Sequence, residues 1–357
     1  MEIKEREDSE MIEQDIALLV PGMKLAADVC SADGKVLANN GSIVSRHTIE
    51  KFTAWQISKV FIAAETPVNP ITDLNIRQFI NEYNQSVTFI QKAFDDIRTT
   101  DQIPVASFEC VAGGLVEKTS GCGNIIDQLY NLPRCDDYTY FHSVNVSIIA
   151  SMIARWLKLP PHIMNAVSMA GLLHDVGKAR LPADLLHQPH KLAAPAYEHY
   201  RQHVAYGYEL ARQSTQIAPS ILDAILQHHE REDGSGYPYG LKTDKIHPYA
   251  KIVAVADLYD EALTLNHDPA DTHFTPYSSL EKLRDRLHTL DPKACLVFID
   301  NMLNCLSGNQ VVLTDKRQGR VVFLNTEQPS RSMVQLNDQT VLDLSEDPDV
   351  RIQYVLR

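Results

Sequence analysis

The chain has 357 residues, of which 44% are hydrophobic and 22% charged, and it carries a formal net charge of -13. A chain of this length is expected to form more than one domain, and its composition excludes global disorder. The acidic balance argues against a protein that coats nucleic acid by neutralising phosphates, but it permits a small anionic substrate where metal ions reverse the local field.

The N-terminal residues and the cysteines together predict a cytoplasmic protein. The segment MEIKEREDSEMIEQ has no apolar core of the kind found in signal peptides. No run of 18 apolar residues occurs, so no membrane-spanning helix is expected. The six cysteines are scattered without a CxxC pair, which is typical of free thiols in a reducing compartment.

Residues 1–14 are expected to form a flexible leader and residues 15–66 a small β-rich domain. The second segment alternates short apolar runs with turn-forming residues, and Pro67 and Pro70 mark its end. Its signals are apolar runs at 16–20, 35–38 and 59–64, turns at Asp33-Gly34 and Asn40-Gly41, and a helix at 46–55.

A helical linker is predicted over residues 67–124 and a helical catalytic domain over 125–306. The linker contains one helix at 74–99 and a second helical stretch at 105–131, which Gly113-Gly114 interrupts. In the catalytic domain, the face that begins at His142 continues through Trp156, and Pro160-Pro161 ends that helix and begins the next.

The C-terminal segment, residues 307–357, is predicted to be β-rich. Five short apolar runs follow Gly308, and turn residues separate them. The runs are QVVLT, RVVFLN, MVQL, TVLDL and RIQYVL, and the expected turns lie at Gly319 and Asn337-Asp338.

The first chemical signal is His174-Asp175, within LLHDVGK. A carboxylate can bridge two metal ions, whereas an imidazole nitrogen fills one position on one ion. Lys178 follows His174 by four residues, so on a continuing helix it would share that face and could place a cation beside a phosphate. The alternative interpretation is a helix C-terminus capped by Gly177.

The second signal is His228-His229, followed by the DGSGYP segment at 233–238. Two adjacent histidines point to different sides of a helix unless the helix ends or bends there. The residues that follow force a tight loop, which brings backbone amides and Tyr237 close to whatever the histidines bind. A solvated histidine pair before an ordinary surface turn is the alternative.

Further candidates lie in the same helical block. Asp257 ends an apolar run, where an unpaired buried carboxylate is costly, so a metal ion or a salt bridge is expected beside it. Asp260 follows three residues later on the same helical face. His142 and His203 are candidate ligands, and His199 competes with His203. Each residue alone fits an ordinary position, but their occurrence in one block points to a metal site.

In this order and spacing, the motifs resemble the HD-GYP subgroup of the HD-domain phosphohydrolases. The resemblance covers residues 125–306, and the Gly236-Tyr237-Pro238 segment separates this subgroup from other HD enzymes. The N-terminal PGMKLAADV segment resembles the accessory domain of such proteins, and the C-terminal strands resemble a tail of some members. The motifs are HSVNV, LLHDVGKARLPADLL, YRQHVAYGYEL, HHEREDGSGYPYGL and AKIVAVADLYD.

The resemblance implies a multidomain protein whose catalytic domain is mainly α, an HD-type helical bundle between a small β-rich N-terminal domain and a short β-rich tail. It implies a binuclear centre of two divalent transition-metal ions, iron or manganese. It also implies hydrolysis of cyclic di-GMP to pGpG or GMP by attack of a metal-bridging hydroxide.

The subgroup's site residues carry over by position. Asp175 would bridge the metals, and Lys178 would stabilise charge on the scissile phosphate. Asp260 would lie at the substrate site and orient a water or a ligand, beside the loop residues Gly236, Tyr237 and Pro238. The implied metal ligands are His142, His174 and Asp257 for one ion, His203, His228 and His229 for the other, and Asp175 for both.

The chain departs from the subgroup at three positions. Members with a third metal carry a glutamate four residues before the first ligand histidine, and Tyr138 stands there, so two metals are expected. The Arg-Pro-Tyr segment of the subgroup is represented by Thr275-Pro276-Tyr277, which lacks the arginine and puts some substrate contacts in doubt. Glu232 replaces a common aromatic residue. Neither of the last two changes removes a ligand.

Other functions stay open at this point. A degenerate module could bind cyclic di-GMP without cutting it and act through protein partners, and a hydrolase of this type could prefer cyclic GMP-AMP or another nucleotide. The N-terminal domain is interpreted either as a docking module for protein partners or as a structural cap. No DNA partner is expected, and the sequence does not decide between a monomer and a homodimer.

Overall fold

A computed structural model gives the fold of most of the chain. The chain divides into two compact units, one formed by residues 1–77, 127–136 and 356–357 and the other by 78–126 and 137–355. The structure describes residues 11–16, 19, 23–31, 34–42, 44, 46–55, 57–63, 74–119, 129, 138–186, 192–264 and 275–356.

The first unit contains short antiparallel strand pairs and one helix around an apolar core. Leu25 and Phe52 are fully buried in that core, and Ile16 and Leu19 also belong to it. Gly41 has a positive φ of 80° in the predicted Asn40-Gly41 turn. The elements are β1 Met11–Asp15, which pairs with β4 Lys59–Ala63, β2 Val29–Cys30, which pairs with β3 Val36–Ala38, and α1 Arg46–Ala54.

The structure corrects the predicted start of this unit. A strand is present at Met11–Asp15, within the expected flexible leader, while residues 17, 18 and 20 of the apolar run at 16–20 lie outside the described residues. The polar segment MIEQD forms a strand because its backbone groups pair with β4, which side-chain hydrophobicity does not report. Ile16 and Leu19 supply core side chains after the strand has ended.

The second unit is a helical bundle with a small sheet. Helix α4, Tyr138–Trp156, is buried along most of its length and packs against α5 and α10. A Cβ on Gly171 would lie 2.7 Å from the Ser147 Cα, so this glycine permits the close approach of α5 to α4. The other helices are α2 Leu74–Thr100, α3 Val105–Lys118, α5 Pro161–Leu173, α6 Ala183–Leu186, α7 Ala194–Arg201, α8 His203–Ala211, α9 Pro219–Gln227, α10 Pro248–Thr264, α11 Pro276–Asp285 and α12 Pro292–Leu306.

Prolines begin several of these helices, as Pro160-Pro161 predicted for α5, because the first helical position needs no backbone N–H. The predicted helix at 74–99 is present as α2. The predicted interruption at Gly113-Gly114 is wrong, since α3 runs through both glycines. The expected continuation to residue 131 falls mostly outside the described residues, as do Cys122 and Cys135; Cys30, Cys110 and Cys295 are free thiols.

The C-terminal strands form one five-stranded sheet in the order β8-β7-β6-β5-β9. The predicted turn at Gly319 is wrong, because this glycine lies inside β6, opposite Val311 and Leu336. A Cβ there would lie 2.4 Å from the Gln335 carbonyl oxygen, so close strand pairing explains the glycine. The strands are β5 Gln310–Leu313, β6 Gln318–Phe323, β7 Met333–Leu336, β8 Val341–Asp343 and β9 Ile352–Leu356.

Residues 78–118 of α2 and α3 and residues 310–355 of this sheet belong to the same compact unit as the rest of the bundle. The linker at 67–124 and the tail at 307–357 stay predictions. The Glu281 carboxylate on α11 accepts hydrogen bonds from the Ser330 backbone N–H and hydroxyl, 2.8 and 2.7 Å away, which ties the tail to the bundle. Within the described residues, no helix is both long and apolar enough to span a membrane.

Candidate metal centre

Three side chains from α4 and the end of α5 form a first triad, defined as His142, His174 and Asp175. The two histidine Nε2 atoms lie 3.2 Å apart, and the Asp175 Oδ2 atom is 3.2 Å from the His174 Nε2. Helix α5 ends at Leu173, so His174 and Asp175 emerge where the helical backbone gives way to a 3₁₀ turn at Val176–Arg180. Each residue of the triad is only 1% exposed.

A second triad consists of His203, His228 and His229. His203 is the first residue of α8, and the other two follow the last residue of α9, Gln227. The ligand-capable atoms of this triad lie within 4.8 Å of one another. Adjacent histidines within a helix would point to different sides. Because α9 ends just before His228 and His229, both side chains turn toward the same site.

Two carboxylates connect the triads. The Asp175 Oδ1 atom lies 3.3 Å from the His203 Nε2, while its Oδ2 faces the first triad. The Asp257 Oδ1 lies 3.0 Å from the His142 Nε2, and its Oδ2 lies 3.8 Å from the His229 Nδ1. All seven ligands implied by the resemblance therefore converge on one site, whereas the competing His199 is exposed on α7.

The donor set fits a pair of cations. The Asp175 Oδ1 and the Asp257 Oδ2 are buried without a hydrogen-bond partner, and each faces an imidazole nitrogen of the second triad. Buried carboxylate oxygens of this kind are unfavourable unless a cation or a donor satisfies them. Imidazole nitrogens and carboxylate oxygens together suit transition metals such as iron and manganese.

Backbone carbonyls orient three of the histidines. The Nδ1 atoms of His174, His203 and His228 lie 2.7, 2.9 and 2.8 Å from the carbonyl oxygen three residues earlier in the chain. A carbonyl can only accept, so each Nδ1 carries the proton and each Nε2 directs its lone pair into the site. In each case the carbonyl belongs to the last turn of the helix that precedes the histidine, so no other side chain is needed to orient the ring.

The electrostatics of the triads differ. Burial by itself lowers the pKa of His142, but hydrogen bonds to Asp257 and Asp260 outweigh burial and raise the pKa to about 10. In the second triad, burial lowers the pKa of His203 to about 4, and it also lowers those of His228 and His229. The second triad is therefore neutral at physiological pH even without a metal.

Lys178 lies beside the site, but not as the sequence predicted. The helix does not continue from His174, and the 3₁₀ turn brings the Lys178 Nζ to 2.5 Å from the Asp175 Oδ2. Burial disfavours the ammonium, yet the Asp175 charge outweighs it and raises the pKa of Lys178. Burial also disfavours the Asp175 carboxylate, but His174 and Lys178 hold its pKa well below the usual range. The Lys178 Nζ also lies 5.3 Å from the ring centroid of Tyr200.

Asp260 lies behind the first triad rather than at a substrate face. Its Oδ2 is 2.8 Å from the His142 Nδ1, and its Oδ1 accepts a hydrogen bond from the Asn145 Nδ2. It is 1% exposed, and both of its oxygens have partners, so the predicted role in orienting a ligand fits and the predicted substrate contact does not. Tyr138, at the position of a third-metal glutamate, places its hydroxyl 2.9 Å from the same Nδ1.

The DGSGYP segment packs directly against the second triad. A Cβ on Gly236 would lie 2.4 Å from the His229 carbonyl oxygen and from backbone atoms of Glu230 and Arg231, so only glycine fits. The Glu230 carboxylate, 2% exposed, accepts hydrogen bonds from the backbone N–H groups of Tyr239 and Leu241. A buried carboxylate thus fixes the far side of the loop.

The Tyr237 ring belongs to a stack that leads from the surface to the second triad. It lies on the His229 ring with a centroid separation of 4.6 Å, and the Arg201 Cζ lies 4.3 Å from its centroid. Tyr237 therefore contacts both the His229 ring and the Arg201 guanidinium. Pro238 is exposed beside this stack.

The sequence analysis missed several residues of this site. Glu230, Tyr200 and Arg201 lie within or beside motifs, but nothing in their spacing distinguishes them from surface residues. Glu261, one position after Asp260, has its pKa raised to about 8 by burial and by the charge of Asp257. The Thr275-Pro276-Tyr277 segment begins α11, where Thr275 caps the helix and the buried Tyr277 hydroxyl donates to the Leu306 carbonyl oxygen.

Comparison with known proteins identifies the same motif region. Residues 129–294 match the family model described as HD domain. A cyclic di-GMP phosphodiesterase of Pseudomonas aeruginosa is 30% identical over 276 residues, which make up 76% of this chain and 64% of that protein. The cyclic di-GMP phosphodiesterase response regulator RpfG of Xanthomonas campestris is 40% identical over 121 residues, 33% of this chain and 32% of that protein.

Related proteins also include the 3'3'-cGAMP-specific phosphodiesterase 2 of Vibrio cholerae, 35% identical over 33% of this chain and 23% of that protein. The chain thus spans less than two thirds of the length of each of these relatives. The solved structure of an HDG"Y"P protein from Bdellovibrio bacteriovorus matches 82% of this chain and 99% of its own, with a TM-score of 0.56 and 17% identity. The sequence matches confirm the resemblance carried by the motifs, and the solved structure supports the mainly helical, multidomain fold class.

Proposed function

The chain belongs to the HD domain family, in its HD-GYP subgroup, and from this premise we propose that it is a metal-dependent phosphodiesterase acting on cyclic di-GMP. The observation that carries the proposal is the Asp175 carboxylate, whose Oδ2 lies 3.2 Å from the Nε2 of His174 in the first triad and whose Oδ1 lies 3.3 Å from the Nε2 of His203 in the second. A single carboxylate between two nitrogen-rich groups is the arrangement that a binuclear centre requires.

Two divalent ions, iron or manganese, would be held by the first triad with Asp257 and by the second triad, with Asp175 shared. Such ions neutralise phosphate charge and lower the pKa of water, so that phosphodiester hydrolysis proceeds at neutral pH. The protein's own part is to hold the ligand atoms in place, and the backbone carbonyls behind His174, His203 and His228 do so.

Lys178 supplies a fixed positive charge beside this centre. Its ammonium stays protonated because the Asp175 carboxylate raises its pKa. A buried cation stabilises a phosphate that gains negative charge more strongly than an exposed one, because water screens it less. Lys178 therefore stabilises the scissile phosphate, as the resemblance implies, from a 3₁₀ turn.

The stack of Arg201, Tyr237 and His229 forms the substrate wall on the side of the second triad. Tyr237 packs on the His229 ring and so holds that ring in place. Arg201 presents a partly exposed guanidinium, ion-paired with Glu198, at the outer end of the stack, where it would contact the second phosphate of the substrate. This places a cation at the site although Thr275 stands where the subgroup has an arginine.

Hydrolysis of one phosphodiester opens the ring to linear pGpG, and hydrolysis of both yields GMP. The similarity to a 3'3'-cGAMP-specific enzyme makes cyclic GMP-AMP the alternative substrate. Docking of protein partners through the N-terminal unit and a homodimer both stay predictions.

The test uses purified protein loaded anaerobically with iron or manganese and incubated with cyclic di-GMP and, separately, with cyclic GMP-AMP. Chromatography should reveal pGpG or GMP from the first substrate. The Asp175→Asn variant should release no product, while Asp184→Asn, which changes an exposed aspartate on α6, should retain activity. Tight binding of cyclic di-GMP without turnover by the metal-loaded wild type would identify a sensor instead, and faster turnover of cyclic GMP-AMP would reassign the substrate.

A further inference from the structure

A buried chain of hydrogen bonds leads from the first triad to helix α2. The Tyr83 hydroxyl on α2 lies 2.7 Å from the Asn145 Oδ1, and the Asn145 Nδ2 lies 2.8 Å from the Asp260 Oδ1. The Asp260 Oδ2 is 2.8 Å from the His142 Nδ1. All four residues are buried, and Tyr83 is 1% exposed. Water therefore has little access to these hydrogen bonds and does not compete for their donors and acceptors.

The direction of each bond follows from the chemistry of the groups. Only the amide NH₂ of Asn145 can donate to a carboxylate, so its carbonyl oxygen faces Tyr83 and accepts from that hydroxyl. Asp260 thus receives one donor on Oδ1 from Asn145 and one on Oδ2 from His142. A proton on the His142 Nδ1 leaves the Nε2 lone pair for a metal ion.

Tyr138 competes for the same histidine nitrogen. Its hydroxyl lies 2.9 Å from the His142 Nδ1 and 3.4 Å from the Asp260 Oδ2, and it accepts from the Thr264 hydroxyl. If Tyr138 donated to Nδ1, the proton of a neutral His142 would sit on Nε2 and block coordination. When the Asp260 Oδ2 points toward His142 it prevents this arrangement, because a carboxylate accepts a stronger hydrogen bond from the Nδ1–H than the neutral Tyr138 hydroxyl does.

We propose that Tyr83 and Asn145 are positioning residues of the metal centre, which hold Asp260 in the rotation that keeps the His142 Nε2 free for the ion of the first triad. The inference rests on the proposed function in one respect, namely that the triads bind metal. Neither residue belongs to the implied ligand set. Their effect on the metal centre passes through Asp260 and His142.

The expected loss of metal affinity depends on how many hydrogen bonds separate a residue from His142. Removing a group that orients a metal ligand typically lowers metal affinity or activity about 10- to 100-fold. Asn145 contacts Asp260 directly, so Asn145→Leu should lower affinity within about that range. Tyr83 acts one step further out, so Tyr83→Phe should lower affinity by roughly 3- to 10-fold, since the effect weakens with each intervening group.

The Tyr83→Phe variant removes one hydroxyl and keeps the ring, which lies 6.2 Å from the Phe79 ring and 6.3 Å from the Phe141 ring. The matched control is Tyr277→Phe, which removes another buried hydroxyl whose acceptor is the Leu306 carbonyl oxygen. Each variant loses a buried hydroxyl and the hydrogen bond it donates, to Asn145 for Tyr83 and to Leu306 for Tyr277, and Asn145 in turn contacts Asp260, which orients a ligand. A general loss of stability would therefore affect them alike.

The experiment titrates the metal-free full chain with Mn²⁺ by calorimetry and measures phosphodiesterase activity against Mn²⁺ concentration. For Tyr83→Phe we expect one Mn²⁺ site to weaken while the other is unchanged, a higher half-saturating Mn²⁺ concentration, and recovery of kcat at saturating Mn²⁺. Asn145→Leu should weaken the same site more, and Tyr277→Phe should match the wild type.

Wild-type Mn²⁺ affinity in Tyr83→Phe, or an equal loss in Tyr277→Phe, overturns the positioning role. A wild-type protein that binds Mn²⁺ but cuts no cyclic dinucleotide refutes the proposed function and leaves the titration as the deciding test of the positioning role. A wild-type protein that binds no Mn²⁺ refutes both.

Discussion

The two triads share a carboxylate and a high degree of burial, yet they prepare for a cation in different ways. The first triad includes Asp175 and lies against Asp257 and Asp260, which raise the pKa of His142 to about 10. The second triad is made of imidazoles alone, and burial lowers the pKa of His203 to about 4. A metal entering the first triad must displace a proton, whereas the second triad already presents neutral donors.

The histidine ligands of this one centre are thus oriented in two different ways. Charged hydrogen bonds orient His142, and backbone carbonyls orient the two fully buried histidines of the second triad, His203 and His228. Asp175 and Asp257 each direct one oxygen toward a histidine of the first triad and the other toward a histidine of the second. Changes at either carboxylate should therefore affect both triads, whereas a change behind His142 or in the loop beside His229 should affect one.

The largest effect is expected from Asp175→Asn. The amide cannot bridge two cations, and it leaves the Lys178 ammonium buried beside a neutral group, which typically costs about 3–5 kcal/mol. Metal analysis should find both ions depleted, with turnover below detection. Retention of one ion at the wild-type level would contradict a shared ligand. Asp184→Asn, on the exposed face of α6, is the control.

A strong but one-sided effect is expected from Gly236→Ala. The added Cβ would collide with the backbone at His229, Glu230 and Arg231, so the loop must move and carry His229 with it. Mn²⁺ titration should show the second site weakened about 10-fold or more and the first site retained. Gly113→Ala, which adds a Cβ with nothing within 4 Å, is the control and should bind Mn²⁺ normally. Equal weakening of both sites would remove the distinction between the triads.

The stability of the metal-free protein should depend on pH in opposite directions for the two triads. The folded pKa of His203 is below the unfolded value of 6.5, so its contribution is lost as pH falls from 6.5 toward 4. The folded pKa of His142 is above 6.5, so its contribution is lost as pH rises from 6.5 toward 10. Glu261 opposes the acid limb, because its folded pKa of about 8 lies above the unfolded value of 4.5 and its contribution is lost as pH rises from 4.5 toward 8.

Chemical denaturation of chelated protein across this range measures both limbs, each on the order of a few kcal/mol. Replacing His203 by glutamine should make the acid limb shallower and leave the alkaline limb unchanged. An acid limb equally steep in the wild type and in His203→Gln would show that burial does not hold His203 neutral.

The smallest effect is expected at Arg201, at the outer end of the stack on the second triad. Arg201→Ala should raise the KM for cyclic di-GMP several-fold with little change in kcat, because an exposed charge contributes about 1 kcal/mol or less. Arg201→Lys should recover only part of the affinity, since a lysine lacks the planar guanidinium. The exposed Arg212→Ala is the control, and a wild-type KM in Arg201→Ala would remove this residue from the substrate wall.

The order and type of the ligand residues were predictable from the sequence, because a metal site needs particular side chains at element ends. His174-Asp175 and His228-His229 each follow the last residue of a helix, and the apolar run before Asp257 indicated burial. The position of Lys178 was not predictable, because the change from an α-helix to a 3₁₀ turn after Leu173 leaves no clear mark in the sequence.

Positions set by long-range backbone pairing were also predicted poorly. Gly319 suggested a turn, but it permits the close approach of β7 to β6. The polar segment at Met11–Asp15 becomes a strand because β4 offers its backbone groups. In both cases the partner strand is distant in sequence, so local composition carries little information about it.

The mainly helical class and the HD-GYP motifs could be identified in the amino-acid sequence, because they depend on residue type and local spacing, and the seven candidate ligands followed from the family resemblance of those motifs. The folded structure was needed to find that Asp175 lies between His174 and His203, that Tyr237 contacts Arg201 and His229, and that Tyr83 reaches His142 through Asn145 and Asp260. These arrangements depend on distances between helices far apart in the chain, and such distances are fixed by packing of the whole bundle.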